Sequence, residues 1–136
     1  MQPLSRAFLF LGAIALLLAT GLGAYGTHAL AARVPENVYA AFGTAVDYQF
    51  YHGLGLLAVA ALIETRSGTV LLGLAGCLLV AGIVLFCGAI YATTFGAPPG
   101  LGRAAPIGGT AFMAGWLALA LGALRAGHRT VADPLA

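Results

Sequence analysis

The sequence predicts an all-α integral membrane protein, with four antiparallel transmembrane helices in one bundle and short loops between them. Its 136 residues are 61% hydrophobic and only 7% charged, whereas soluble domains carry about 25% charged residues. Four apolar segments each approach the roughly 20 residues that span a hydrocarbon core. The net charge is +2 and the basic residues do not cluster, so no nucleic-acid partner is expected.

The apolar segments define the helices in order along the chain. The predicted spans are residues 7–27, 45–63, 69–92 and 107–124. Short linkers that carry proline, glycine and charged residues separate them, so sequential helices should be antiparallel neighbours. The first segment also has features of a secretory signal, but its apolar run is longer than a signal core. It is therefore predicted to be a membrane helix.

The second helix is predicted to have a lead-in before it. Pro35, Glu36 and Asn37 form a helix-start signal, and residues 36–44 are predicted to lie at the membrane interface. The transmembrane domain is then residues 1–124, and residues 125–136 form a short polar tail.

The arginines predict the orientation of the bundle. With four spans, the N-terminus, the second loop and the tail lie on one side of the membrane. That side carries Arg6, Arg66, Arg125 and Arg129, and the opposite side carries Arg33 and Arg103. Cytoplasmic segments have an excess of arginine and lysine, so both termini are predicted to be cytoplasmic.

Small residues recur at every fourth position in three of the helices. These ladders are Ala15, Ala19, Gly23 and Thr27 in the first, Gly73, Cys77 and Ala81 in the third, and Ala114, Ala118 and Gly122 in the fourth. Small side chains let helix backbones approach closely in lipid. The ladders are predicted to hold the bundle together, with oligomerisation as the alternative. Cys77 and Cys87 are predicted to be buried apolar residues.

Polar side chains interrupt the start of the second helix, where a hydrophobic helix should enter the membrane. If the hydrocarbon begins near Ala45, His52 lies about 10 Å deep at 1.5 Å per residue. The antiparallel topology brings the ends of the first and third helices to the same side. The predicted polar cluster or ligand-binding site is therefore His28, Tyr48, Gln49, His52, Asp47, Tyr25 and Tyr91.

The predicted cluster has three interpretations. Its side chains can hydrogen-bond between helices and stabilise the bundle. They can instead carry a proton or bind a ligand, because ionisable residues inside a membrane are functional candidates and histidine titrates near neutrality. His28, Asp47 and His52 could also ligate zinc or copper, and the two histidines could be axial haem ligands. The spacing signal for a metal is weak, and the expectation is that no cofactor binds.

Four motifs in this chain resemble one known family. Residues 23–30, GAYGTHAL, resemble a GAxGAHAL signature, and residues 44–57, TAVDYQFYHGLGLL, resemble TAxxYQxYHALALL. Residues 85–91, LFCGAIY, and residues 105–116, APIGGTAFMAGW, resemble the third and fourth helices of the same family. The chain is thus similar to the domain-of-unknown-function family numbered four hundred and twenty-three, the YgdD-like bacterial inner-membrane proteins with a small human transmembrane relative.

The resemblance implies a multi-pass protein of the bacterial inner membrane, with four helices and no established activity. His28, Tyr48, Gln49 and His52 match the family motif, whereas Asp47 occupies a variable position. The departures from the motif are Thr27, Gly53 and Gly55.

The sequence favours a non-enzymatic accessory or structural membrane protein, because the chain is small, rich in small-residue ladders and shows no paired nucleophile and base. The expected partners are the lipid bilayer and either further copies of the chain or another membrane protein. One alternative is a proton-linked or small-solute transport or channel component that acts as an oligomer. The other is a metal- or haem-binding protein that uses His28 and His52.

Overall fold

The computed structural model describes residues 1–65 and 70–125, and four helices within them are long and apolar enough to cross a membrane. These are α1 (Pro3–Leu30), α2 (Glu36–Thr65), α3 (Val70–Thr94) and α4 (Pro99–Arg125). The predicted fold class, an all-α protein with four membrane spans, is confirmed. Arg66, Arg129 and the rest of the predicted tail beyond Arg125 lie outside the described residues.

The helices extend beyond the apolar segments that predicted them. α2 begins at Glu36, so the predicted lead-in and the second span form one continuous helix. α4 opens with a 3₁₀ turn, Pro99–Arg103, before the α-helical Ala104–Arg125. Proline suits the first helical position, because its ring fixes a helical φ and its missing N–H would have no helical partner there.

Two π-helical segments interrupt the regular α-helices. Gly26–Leu30 forms the end of α1, and Ile83–Cys87 lies in the middle of α3. A π segment contains an additional residue in one turn, so it changes the direction of the side chains around it, and such segments are frequent at functional sites. The second segment contains Phe86, whose ring contacts both Tyr48 of α2 and Phe112 of α4.

The four helices form two hairpins that meet along a central contact. α1 packs mainly against α2, α4 packs mainly against α3, and α2 and α3 pack against each other. The core follows this line, with Ala45, Val59, Ile63, Leu72 and Leu79 fully buried. One groove remains between α1 and α3, and another remains between α2 and α4.

Glycines set the closest approach between α3 and α4. They recur at every seventh residue of α4 and face large side chains with the same spacing on α3. The facing pairs are Gly108 with Phe86, Gly115 with Leu79, and Gly122 with Leu72. A Cβ added at Gly122 would lie 2.9 Å from Leu72 Cδ2, and a Cβ at Gly108 would collide with the backbone of Phe86. This close packing is a main source of attraction between helices in lipid.

The predicted small-residue ladder of the third helix does not form this contact. Cys77 is exposed, so the prediction that it is buried is wrong, whereas Cys87 is buried. The physical reason is that Leu72 and Leu79 fill the notches left by the glycines of α4. The large side chains of α3 therefore face inward, and Cys77 is rotated away from α4.

Close approach and a polar contact join α1 to α2. A Cβ at Gly12 would lie 2.9 Å from the carbonyl oxygen of Gly53. The hydroxyl of Ser5 donates a hydrogen bond of 3.1 Å to the carbonyl oxygen of Ala60. Residue numbers rise along α1 while they fall along α2 at these contacts, which confirms the predicted antiparallel pairing.

Candidate functional site

His52 is buried in the bundle, with only 5% of its surface exposed. Its Nδ1 donates a hydrogen bond to the backbone carbonyl oxygen of Tyr48, one turn earlier in α2. In the neutral imidazole with its proton on Nδ1, Nε2 holds a lone pair and is an acceptor. Among the described residues, Nε2 has no hydrogen-bond partner.

Aromatic rings fix the orientation of the His52 imidazole. It stacks on Phe112 of α4, with ring centroids 3.4 Å apart and planes within 12° of parallel. The ring of Trp116, one turn further along α4, lies 5.9 Å away. The ring of Tyr48 lies 5.6 Å away on α2. The histidine therefore has a fixed position between two helices.

His52 lines a groove between α2 and α4 that we call the front groove. Its volume is about 630 Å³, within the roughly 300–1,000 Å³ typical of binding sites. The groove is defined by Tyr48, Tyr51, His52, Phe112, Met113 and Trp116, with Phe86 of α3 as its floor. Tyr51 is 57% exposed and Met113 is 74% exposed, so both walls of the groove are accessible.

Gln49 makes a polar contact between α1 and α2. It is 4% exposed, and its Nε2 donates a hydrogen bond of 2.9 Å to the carbonyl oxygen of Ala15. Gln49 also lines the second groove, between α1 and α3, which we call the back groove. The back groove has a volume of about 410 Å³ and is defined by Leu18, Gln49, Val84 and Tyr91, in otherwise apolar surroundings.

Tyr91 of α3 packs against the start of α2. Its ring centroid lies 5.2 Å from that of Phe42. Its hydroxyl is enclosed and has no hydrogen-bond partner in the described part of the chain. Because the oxygen is enclosed, a molecule in the back groove could not reach it without a rearrangement. Tyr91 therefore acts through packing in this conformation.

The other members of the predicted cluster lie near the same end of the bundle. Asp47 is exposed and lines a small pocket of about 180 Å³ with Thr27, between α1 and α2. The ring of Tyr25 lies 6.1 Å from that of Phe95. His28 is exposed on the π-helical end of α1. The predicted residues are thus divided among separate grooves and pockets, and they lie at different depths, since His28 is near the end of α1 and His52 is near the middle of α2.

His28 and His52 are too far apart to bind one metal ion or haem. The bond from Gln49 to Ala15 places that part of α1 beside the His52 turn of α2. His28 lies further along α1, about 20 Å from Ala15 at 1.5 Å per residue. Among residues 1–65 and 70–125, no group of three or more histidine, cysteine, aspartate or glutamate side chains is arranged to hold a metal. The geometry therefore gives no support to a shared site.

Sequence reasoning missed the α4 wall of the front groove. Phe112 and Trp116 are four residues apart, as are Tyr48 and His52, so each pair lies on one side of its helix. The two helices run in the same direction through the bundle, which places the two pairs side by side. A search for aromatic pairs at this spacing on alternate helices would have indicated the groove.

The comparisons with known proteins agree with this architecture. The family described as protein of unknown function (DUF423) matches residues 22–109. The UPF0382 membrane protein YwdK of Bacillus subtilis is 41% identical over 120 residues, which cover 88% of this chain and 98% of that protein. A UPF0382 membrane protein of Staphylococcus haemolyticus is 39% identical over 114 residues, covering 84% of this chain and 92% of that protein.

No solved structure matches the chain with statistical significance. The relatives are named as membrane proteins, and four helices of this chain are able to span a membrane. The chain is therefore a small multi-pass bacterial membrane protein, and it belongs to the family of proteins of unknown function DUF423.

Proposed function

We propose that the protein is a non-enzymatic accessory or structural membrane protein that binds another membrane-spanning helix in the front groove. The state of His52 supports this most strongly. Tyr48 and Phe112 fix its ring, it is 5% exposed, and it lines the groove with an Nε2 acceptor that has no partner among the described residues. Hydrocarbon offers no hydrogen bond to an acceptor that is open to the groove, and a donor from a bound helix would supply one.

The walls of the front groove suit a protein partner. Tyrosine, tryptophan and methionine are enriched at protein interfaces, and Tyr51, Trp116 and Met113 are all exposed here. Association of helices in lipid depends on close packing and on hydrogen bonds between helices. The expected partner is therefore a transmembrane helix with a hydroxyl or amide donor at the depth of His52.

The geometry gives less support to the two alternative functions, which are proton or solute transport and the binding of a metal or haem. A proton or solute path would need polar side chains that share a cavity, but His52 lines the front groove and Gln49 lines the back groove. A metal or haem site would need His28 and His52 close together, and they lie at different depths in the bundle.

Photo-crosslinking in native membranes tests the proposed function. A benzophenone amino acid in place of Met113 reports on the front groove, and the same amino acid in place of Val84, which is 63% exposed, is the control in the back groove. We expect a protein adduct from position 113 that His52→Phe diminishes, and none from position 84. Lipid adducts alone from both positions, or equal protein adducts regardless of His52, would contradict the proposal.

A further inference from the structure

Two polar atoms without partners lie at the same depth in the front groove. Tyr51 lines the groove, and its hydroxyl makes no hydrogen bond with any described residue. Nε2 of the adjacent His52 also has none. Adjacent residues of a helix differ by about 1.5 Å along its axis. A phenol O–H is a donor and the lone-pair nitrogen of a neutral imidazole is an acceptor, so the two groups are complementary.

The two groups do not satisfy each other within one copy of the chain. Successive side chains of a helix point about 100° apart, so Tyr51 faces outward at 57% exposure while His52 is 5% exposed. Both lie in a span that is apolar enough to cross a membrane. Hydrocarbon offers no water to either group, so a protein partner is favoured.

A second copy supplies both missing groups at the correct depth. Copies inserted in the same direction can be related by a two-fold axis along the membrane normal, and such an interface brings the same patch of each copy together. Groups at one depth then meet groups at the same depth. The exposed apolar side chains of Met113 and Leu117 on α4 would add packing to this contact.

We infer that a second copy of this chain occupies the front groove, and that the Tyr51 hydroxyl of each copy donates a hydrogen bond to His52 Nε2 of the other. This inference rests on the proposed function, that the groove binds a membrane-spanning helix, and names that helix as α2 of an identical chain. The resulting pair is symmetric, with the same donor and acceptor contributed by each copy.

Energy transfer between fluorescently labelled copies of the full chain tests this inference. The protein is reconstituted into vesicles of phosphatidylethanolamine and phosphatidylglycerol, and transfer is measured as lipid dilutes the protein. We expect wild-type dimers, and we expect Tyr51→Phe to weaken them about ninefold to 900-fold, because the symmetric dimer loses two hydrogen bonds and each is worth about threefold to thirtyfold between membrane helices. Tyr25→Phe is the matched control, because Tyr25 is also exposed, at 37%, but lies on α1 and lines neither groove.

The control should leave the dimer unchanged, because both substitutions keep the aromatic ring and differ in which hydroxyl is lost. A monomer at every protein-to-lipid ratio, or equal weakening by both substitutions, would overturn the inference. Crosslinking from position 113 separates this outcome from failure of the proposed function. An adduct with a different membrane protein and no self-adduct would contradict the inference that a second copy fills the groove, but not the proposed function. Lipid adducts alone would contradict both the inference and the proposed function.

Discussion

His52 and Phe112 stack face to face, with ring centroids 3.4 Å apart. The contact joins α2 to α4 and covers one face of the imidazole. Because Nδ1 is bound to the carbonyl oxygen of Tyr48, the ring has one orientation and one polar atom left for a partner. A fixed acceptor in a groove with exposed walls is suited to recognition of a specific donor.

Truncating the His52 side chain to alanine should destabilise the bundle more than replacing its imidazole with the phenyl ring of phenylalanine. His52→Ala leaves a cavity beside Phe112, and we expect it to lower the free energy of unfolding by about 2 kcal/mol or more. His52→Phe keeps a ring over Phe112 and should cost much less. Unfolding in mixed detergent micelles measures both. His28→Ala, at an exposed position, is the control, and an equal loss from it would contradict the packing role of His52.

Gly108 should tolerate no side chain, whereas the adjacent glycine should. A Cβ at Gly108 meets the backbone of Phe86, whereas a Cβ at Gly109 would lie 3.9 Å from Phe86 Cδ2, an ordinary van der Waals distance. We expect Gly108→Ala to lower the free energy of unfolding by about 1–3 kcal/mol, as overpacked positions do. Thermal unfolding in detergent compares the two variants. Similar midpoints for Gly108→Ala and Gly109→Ala would show that α3 and α4 do not pack as described.

The hydrogen bond from Gln49 to Ala15 should stabilise the α1–α2 hairpin. Gln49→Met keeps the length of the side chain and removes the donor, so we expect a loss of about 0.6–2 kcal/mol in the free energy of unfolding. Thr20→Val is a suitable comparison, because the Thr20 hydroxyl is exposed and bonds only within α1, to the carbonyl oxygen of Leu16. If both substitutions have the same small effect, the contact between the helices contributes nothing measurable.

The orientation predicted from the arginines can be tested with fusion proteins. Both termini are expected in the cytoplasm, because the predicted cytoplasmic side carries more arginine. A green fluorescent protein fused to the C-terminus should fluoresce, and alkaline phosphatase at the same position should be inactive. Fusion of phosphatase within the loop at Arg33 should give activity and is the internal control. Active phosphatase at the C-terminus would reverse the predicted orientation.

The number of helices could be predicted from the sequence because the hydrocarbon thickness sets a length that apolar segments must reach. The start of α2 could also be predicted, because Pro35 and Glu36 are a helix-start signal and the helix begins at Glu36. The alternating direction of the helices predicts that the polar residues lie toward one side of the membrane, but it does not fix their depth: His28 is near the end of α1 and His52 is near the middle of α2.

The division of the polar residues between grooves could not be predicted, because it depends on how each helix is rotated about its axis. Gln49 and His52 are three residues apart, and a modest rotation of α2 would send both toward one neighbour. That rotation is set by contacts such as Gly12 against Gly53 and Gly55 against Trp116. The π-helical Ile83–Cys87 segment, which contains Phe86, also has no clear sequence signal.

The most direct test of the front groove as a binding site for a second copy is a double-mutant cycle on Tyr51 and His52. Dimer dissociation constants are measured by energy transfer for the wild type, Tyr51→Phe, His52→Phe and the double variant. If the two groups bond across the interface, the double variant should be no weaker than the weaker single variant, because the same two symmetry-related hydrogen bonds are lost in each case. Strictly additive losses would show that the two side chains do not contact each other across the interface.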